Sequence, residues 1–275
     1  MHTVKRKKSL NPEHTLIEVE APLVAKKFKP GQFVDIRLHE KGERIPLTVF
    51  KNYPEKGTIT IVFLKAGKTT MEFDTYEEGD VISDVVGPLG KPVDIENFGT
   101  VVCVAGGCGA PEVYPIAKAL GEAGNHVIGI LGFRNESVVM LEDDLKEVTD
   151  ELYTATEDGS YGIKGLTTDV LQGLIDEGKD IDLVHAVGPA IMLKVVSELT
   201  EPYGIRTMVS LNPIMVDATG MCGSCRVRVD GDMRLACVDG PAFDGHKVDF
   251  DGLLNRLKLF EEEERISVER FKKGQ

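Results

Sequence analysis

Short runs of β-branched and aromatic residues mark the first hundred positions. They cover 15–20, 33–38, 47–51, 58–64 and 81–86. Turn chemistry parts them at Pro30-Gly31, Asn52 to Gly57, Gly79-Asp80 and Gly87 to Gly90. Regularly spaced runs of this kind predict an antiparallel barrel or sandwich, and no helix-length amphipathic pattern interrupts them.

The rhythm changes at Gly99. A continuous apolar strand at 100–105 leads into Gly106-Gly107-Cys108-Gly109, and residues 112–123 then show helical periodicity. Strands at 126–133, 151–156, 183–187 and 206–210 alternate with helices at 140–146, 167–177 and 190–199. Such alternation implies a parallel sheet with right-handed crossovers. From Leu211 the chain is loop-rich and bears cysteines. It ends in a stretch of helical composition at 250–273, with Leu253, Leu254, Leu257 and Phe260 on one face and Glu261 to Glu264 solvated. The expected organisation is a β-barrel at 1–98, a parallel α/β domain at 99–210 and a small cysteine module with a terminal helix at 211–275.

Composition narrows the partners. The 275 residues are 42% hydrophobic and 28% charged, as in ordinary globular chains, and carry a net charge of −13. An acidic chain is repelled by nucleic acid and by anionic membranes, so neither is expected as a partner. No apolar run approaches the length of a membrane span and no signal peptide is evident, which makes the cytoplasm the expected location. Five cysteines, three of them within sixteen residues, do not suit a secreted disulfide scaffold. Crowded cysteines in a reducing compartment suit a metal or a cluster.

The sharpest motif is Asp217-Ala-Thr-Gly-Met-Cys222-Gly-Ser-Cys225, closed by Cys237. A four-residue gap, a two-residue gap and a distant fourth position form the plant-type spacing for a two-iron cluster, here with Asp217 at the first position. Gly220 and Gly223 let the backbone turn inward and aim N–H groups at sulfide. The competing reading is a zinc ribbon with a carboxylate ligand. Zinc prefers thiolate and imidazole, and the segment offers no histidine before His246, so the iron–sulfur reading is favoured.

Gly106, Gly107, Cys108 and Gly109 stand between a strand and a helix, where backbone N–H groups and the helix N-terminus favour a pyrophosphate. Alone this turn is a weak signal. Glu157 and Asp158 follow the third parallel strand, and Gly188 and Pro189 the fourth, at the strand ends where open α/β sheets bind ligands. On the barrel, Arg44-Ile-Pro46-Leu47-Thr48 and Leu64-Lys65-Ala-Gly67-Lys-Thr69-Thr70 offer cations and hydroxyls suited to a phosphate-bearing cofactor.

Taken together, R-x-P-L-T, GGxG-x-x-P and G-P-x-x-M resemble the ferredoxin–NADP reductase superfamily along nearly the whole chain. The C-terminal module ending Cys237-Val-Asp-Gly240-Pro241 narrows the resemblance to two relatives. One is the electron-transfer subunit of dihydroorotate dehydrogenase, which normally has Cys at the first ligand position. The other, favoured by Asp217 and Cys108, is the small subunit of the bifurcating NADH-dependent reduced ferredoxin:NADP+ oxidoreductases. The resemblance implies a Greek-key barrel whose Arg44, Pro46, Leu47 and Thr48 hold FAD, with Leu64, Lys65, Gly67, Thr69 and Thr70 near its diphosphate. Gly106, Gly107, Cys108, Gly109, Glu157, Asp158, Gly188 and Pro189 would line NAD(H), and Arg134 keeps NADP(H) open. Asp217, Cys222, Cys225 and Cys237 would hold a [2Fe-2S] cluster. It further implies a large, glutamate-synthase-like subunit carrying flavin and iron–sulfur clusters, with ferredoxin served indirectly. Plant-type reductases carry a cysteine where this chain has Val187.

Overall fold

The computed structural model describes residues 2–274. Strands β1 (His2–Ser9), β2 (His14–Glu20), β3 (Phe33–Arg37), β4 (Arg44–Tyr53), β5 (Thr58–Leu64), β6 (Val81–Ile82) and β7 (Asp84–Leu89) form one antiparallel sheet in the order β6-β1-β2-β5-β4-β3-β7. The β2-β5-β4-β3 part is a Greek key: β3, β4 and β5 form a meander, and β2 lies beside β5. Only Ser83 separates β6 from β7, yet they pair with β1 and β3 near opposite ends of the sheet, which therefore curls on itself. Its core is Ile17, Val34, Ile36, Ile59, Ile61, Phe63 and Phe73 among others, most of them inward-facing positions of the alternating strands.

Three features differ from the sequence pattern. The basic segment His2–Ser9 is a strand, because Val4 is buried while Arg6 and Lys8 keep charge outside on an edge. Two short helices, α1 (Pro22–Lys27) and α2 (Lys68–Phe73), interrupt the barrel. Pro22 starts the first, and a hydroxyl–backbone exchange between Thr70 and Gly67 starts the second. Both are too short to show helical periodicity.

The second sheet runs β11-β10-β9-β8-β12-β13-β16, from β8 (Thr100–Gly106), β9 (His126–Phe133), β10 (Glu151–Thr156), β11 (Ile163–Lys164), β12 (Leu183–Val187), β13 (Arg206–Ser210) and β16 (Ala242–Asp244). All pairs are parallel except β13 with β16, where the C-terminal segment returns to close the edge. Helices α3 (Ala110–Glu122), α4 (Glu142–Lys146), α5 (Thr167–Asp176) and α6 (Ala190–Thr200) connect the strands, and two apolar cores form around the sheet. Strand order reverses between β8 and β12, which is where ligands bind in such sheets.

The remaining chain forms the hairpin β14 (Arg226–Val229) and β15 (Asp232–Leu235), a single turn α7 (Ala236–Asp239), and the helices α8 (Phe250–Leu257) and α9 (Glu261–Lys272). Cys225, Val227, Ala236, Cys237 and Leu253 share a core with Val184, Val209 and Phe243 of the sheet. The tail is two helices rather than one, with the break at 258–260. Leu253, Leu254 and Leu257 pack on the core as the periodicity predicts, whereas Phe260 precedes α9 and is half exposed. Among the described residues no helix is long and apolar enough to cross a membrane.

Candidate redox site

The loop from Asp217 to Cys225 turns on residues in the left-handed region: Ala218 (φ 56°), Gly220 (φ 87°) and Gly223 (φ 69°). The Asp217 carboxylate sits at its centre. Oδ1 accepts from the Thr219 N–H at 3.1 Å, and Oδ2 from the Met221 and Cys222 N–H groups, both at 3.1 Å. These donors, the Thr219 N–H foremost, hold its pKa below the usual carboxylate range. Hydrogen bonds from Ser224 likewise lower the Cys222 thiol.

The four expected ligands come together as two pairs. Cys222 Sγ lies 3.3 Å from Asp217 Oδ1, and Cys225 Sγ lies 3.2 Å from Cys237 Sγ. The second pair is buried, and burial pushes the Cys237 thiol up to about 12. Among the described residues no group of three or more His, Cys, Asp or Glu side chains is arranged to hold one metal ion. Asp217 with Cys222, and Cys225 with Cys237 from α7, are the two-and-two division a two-iron cluster requires, two protein ligands to each iron. A turned-in backbone and a three-thiol, one-carboxylate donor set fit that cluster. Arg256, reaching from α8 to Ser224 O at 3.0 Å, and Arg226, at 2.9 Å from Gly223 O, brace the loop from behind.

Across from this loop, β4 presents Arg44, Pro46, Leu47 and Thr48. Although β4 lies between β3 and β5, residues 44–48 are only half-buried; Arg44, Pro46 and Thr48 alternate to the face away from the barrel core, while Leu47 packs against that core. Arg44 is held by Asp84 at 2.9 Å and Asp35 at 3.4 Å. Asp35 keeps its Oδ1 buried without a partner. Burial raises its pKa to about 6 against the pull of Arg44, and the negative charge of Asp217 adds to the rise. The cluster loop and the Arg44 face therefore feel one another's charge.

Leu64 ends β5 and Lys65 follows it, with the Lys65 ammonium 3.6 Å from Asp74. Gly67 is exposed, and Thr69 donates to Glu43 at 2.9 Å. The half-buried strand face, the cations and the hydroxyls suit a flavin.

The glycine turn after β8 packs directly on the turn after β12. A Cβ on Gly109 would lie 2.1 Å from Val187 O, and one on Gly188 would lie 3.2 Å from Gly106 Cα. Only glycine permits that approach, which sets both turns side by side at the point of strand reversal. Pro189 then precedes α6. Asp158 turns back on Ser160, whose N–H and hydroxyl hold its pKa down, and the Glu157 N–H bonds Phe133 O at 3.0 Å.

Four participants gave no sequence signal. The β1–β2 turn reaches over to the α/β domain. His14 Nε2 meets Cys108 Sγ at 3.1 Å while its Nδ1 meets Asn11 Oδ1 at 2.9 Å, and Glu13 grips Arg134 at 2.6 and 2.8 Å. Burial lowers the His14 pKa and raises the Cys108 thiol to about 11, so the pair is a neutral thiol and a neutral imidazole. From α3, Glu112 reaches Thr48 at 3.2 Å with its other oxygen shielded and unpartnered. Apart from the local Asn11–His14 pair, none of these contacts could be found from spacing, because each joins residues distant in sequence. Cys103 is a buried strand residue, as expected.

A curled antiparallel sheet, a parallel sheet with paired glycine turns and a C-terminal cysteine loop define the ferredoxin-reductase type of fold. Phthalate dioxygenase reductase, a modular protein for electron transfer from pyridine nucleotides to [2Fe-2S], shares that fold. The match has a TM-score of 0.61 at 16% identity and covers 83% of this chain and 86% of that one.

Nearer relatives follow. Residues 212–249 match the iron–sulfur cluster binding domain of dihydroorotate dehydrogenase B. The Thermotoga maritima homolog of the electron transfer subunit of that NAD(+)-dependent enzyme is 52% identical over 255 residues, 93% of this chain and 90% of the relative. The Geobacillus thermodenitrificans electron transfer subunit is 34% identical over 236 residues, 82% and 89% of the two chains. A solved chain of the NADH-dependent reduced ferredoxin-NADP oxidoreductase, from work on flavin-based electron bifurcation, matches with a TM-score of 0.94 at 48% identity. That match covers 99% of this chain and 98% of that one. The chain belongs to the family of dihydroorotate dehydrogenase B electron transfer subunits and their homologs.

Proposed function

We propose that this chain is the small, electron-transfer subunit of a flavin-based bifurcating NADH-dependent reduced ferredoxin:NADP+ oxidoreductase, passing electrons between NAD(H), FAD and a [2Fe-2S] cluster. The observation that carries the reading is the near end-to-end match, at 48% identity, to a chain of that oxidoreductase. Asp217 at the first ligand position points the same way. FAD, when bound, accepts a hydride from NADH and releases electrons singly to a cluster, which joins two-electron to one-electron chemistry.

The chain's own residues do the holding. Gly106, Gly109 and Gly188 let the two turns meet at the point of strand reversal, Gly107 leaves open space beside them for a dinucleotide, and Asp158 and Glu157 flank it. Arg44 and Thr48 face the flavin, with Gly67, Thr69 and Thr70 toward its diphosphate. Asp217 and Cys222 would hold one iron, and Cys225 and Cys237 the other. No acid, base or nucleophile is required of the protein. The partner in this reading is a large subunit resembling glutamate synthase, carrying flavin and iron–sulfur clusters, with ferredoxin reached through it and the complex in the cytoplasm.

Anaerobic affinity purification from the native host, with mass spectrometry of the co-purifying subunit, tests this. A glutamate-synthase-like flavin subunit is the expected result. A dihydroorotate dehydrogenase subunit would instead move the chain to dihydroorotate oxidation.

A further inference from the structure

Helix α9 lies against α2, and between them is a cavity of about 340 Å3. Its lining is Lys68 from α2 and Glu263, Ile266, Ser267, Arg270 and Phe271 from α9. That volume is at the lower end for small-ligand sites, which run from about 300 to 1,000 Å3. It suits part of a dinucleotide rather than the whole.

Helix α9 is thinly packed. Its twelve residues include none that is fully buried, and Ile266, Ser267 and Phe271 are half-buried beside the cavity. A helix this short is marginal in water and depends on what its inner face touches. Arg265 is engaged with Glu262 and Glu269 on the helix itself. Among the described residues, by contrast, the Lys68 ammonium and the Arg270 guanidinium have neither an ion pair nor a hydrogen bond.

We infer that α9 is the outer wall of the flavin site and that its cavity takes the adenosine diphosphate half of FAD. The inference rests on the flavin reading, because Lys68 lies within the Gly67 to Thr70 turn assigned there to the diphosphate. Lys68 and Arg270 supply the positive charge that a diphosphate requires, and a guanidinium presents paired donors to phosphate oxygens. Ile266 and Phe271 give an apolar wall for the adenine. Glu263 is also in the lining and would repel a phosphate placed against it. It lies two helical turns, about 10 Å, from Arg270, and at that distance it can accept from ribose hydroxyls.

The test uses the full chain stripped of flavin and titrated with FAD and, separately, FMN, followed by flavin fluorescence. FMN lacks the adenosine half. Arg270→Ala should weaken FAD about tenfold, as loss of one charge-assisted contact does, and weaken FMN, which keeps only one of the two phosphates, by less. In the unmodified chain FAD, but not FMN, should slow amide hydrogen exchange across residues 261–272. Equal FAD affinity in Arg270→Ala together with unchanged exchange would overturn the role of α9 while leaving the flavin reading intact. A chain that binds neither flavin would overturn the flavin reading, and this inference with it. The exchange measurement needs no variant, so it decides the matter even if Arg270→Ala folds poorly.

Discussion

Thr48 on β4 donates a 3.2 Å hydrogen bond to Glu112 Oε2 at the start of α3, joining the barrel to the α/β domain. Glu112 Oε1 is shielded and has no partner, and burial raises the carboxyl pKa despite the hydrogen bond from Thr48. A carboxyl whose folded pKa is raised binds its proton more tightly in the native state. Its contribution to stability is therefore present below its ordinary value of 4.5 and lost as pH rises toward the folded value. Glu112→Gln should flatten that decline and raise the urea midpoint at pH 7. A lower midpoint at pH 7 would show that the carboxylate is instead stabilised by its ionised form.

Cys108 is accessible to reagents, yet its thiol is pushed up to about 11 from an ordinary 9.0. The thiolate is the nucleophile, so alkylation by iodoacetamide at pH 7 should run about a hundredfold slower than for a free thiol and speed up as pH rises. NADH should protect Cys108 if the glycine turn lines the nucleotide. Peptide mapping at fixed times checks both, and labelling unaffected by NADH would remove Cys108 from the nucleotide site.

Glu13 occupies Arg134, the one basic group after the second parallel strand that would favour a 2′-phosphate. Both side chains are partly exposed, so the pair is weak. Glu13→Gln should lower the KM for NADPH by up to about fivefold and leave that for NADH nearly unchanged. Equal shifts for the two nucleotides would show that Arg134 does not read the phosphate.

Much of this arrangement was legible in the sequence because it is local. The alternating strands, the βα units, the glycine turns and the cysteine spacing each lie within a few residues and carry their own period. The half-buried face of Arg44 to Thr48 follows from R-x-P-L-T only through resemblance, since burial depends on what crosses the sheet. Glu112, His14 and Glu13 were not legible. Each meets its partner across the interface between the two sheets, at sequence separations of 64, 94 and 121. The β1 strand was hidden for another reason: the run Lys5 to Lys8 shows no apolar–polar alternation, and an edge strand tolerates such charge.

Asp217→Cys gives the loop a full thiolate set. The cluster's visible absorption should persist with an altered midpoint potential, because a thiolate is softer and more electron-donating than a carboxylate. A redox titration followed by electron paramagnetic resonance reads this. An unchanged spectrum and potential would mean that Asp217 is not a ligand.

The most direct test is titration of the anaerobically purified chain with NADH, followed by visible absorption and electron paramagnetic resonance, beside Cys225→Ser. In the unmodified chain NADH should bleach the flavin and then produce the signal of a reduced two-iron cluster. In Cys225→Ser the flavin should still bleach and the cluster signal should be lost. Recovery of zinc in place of iron, or a chain without flavin, would contradict the account.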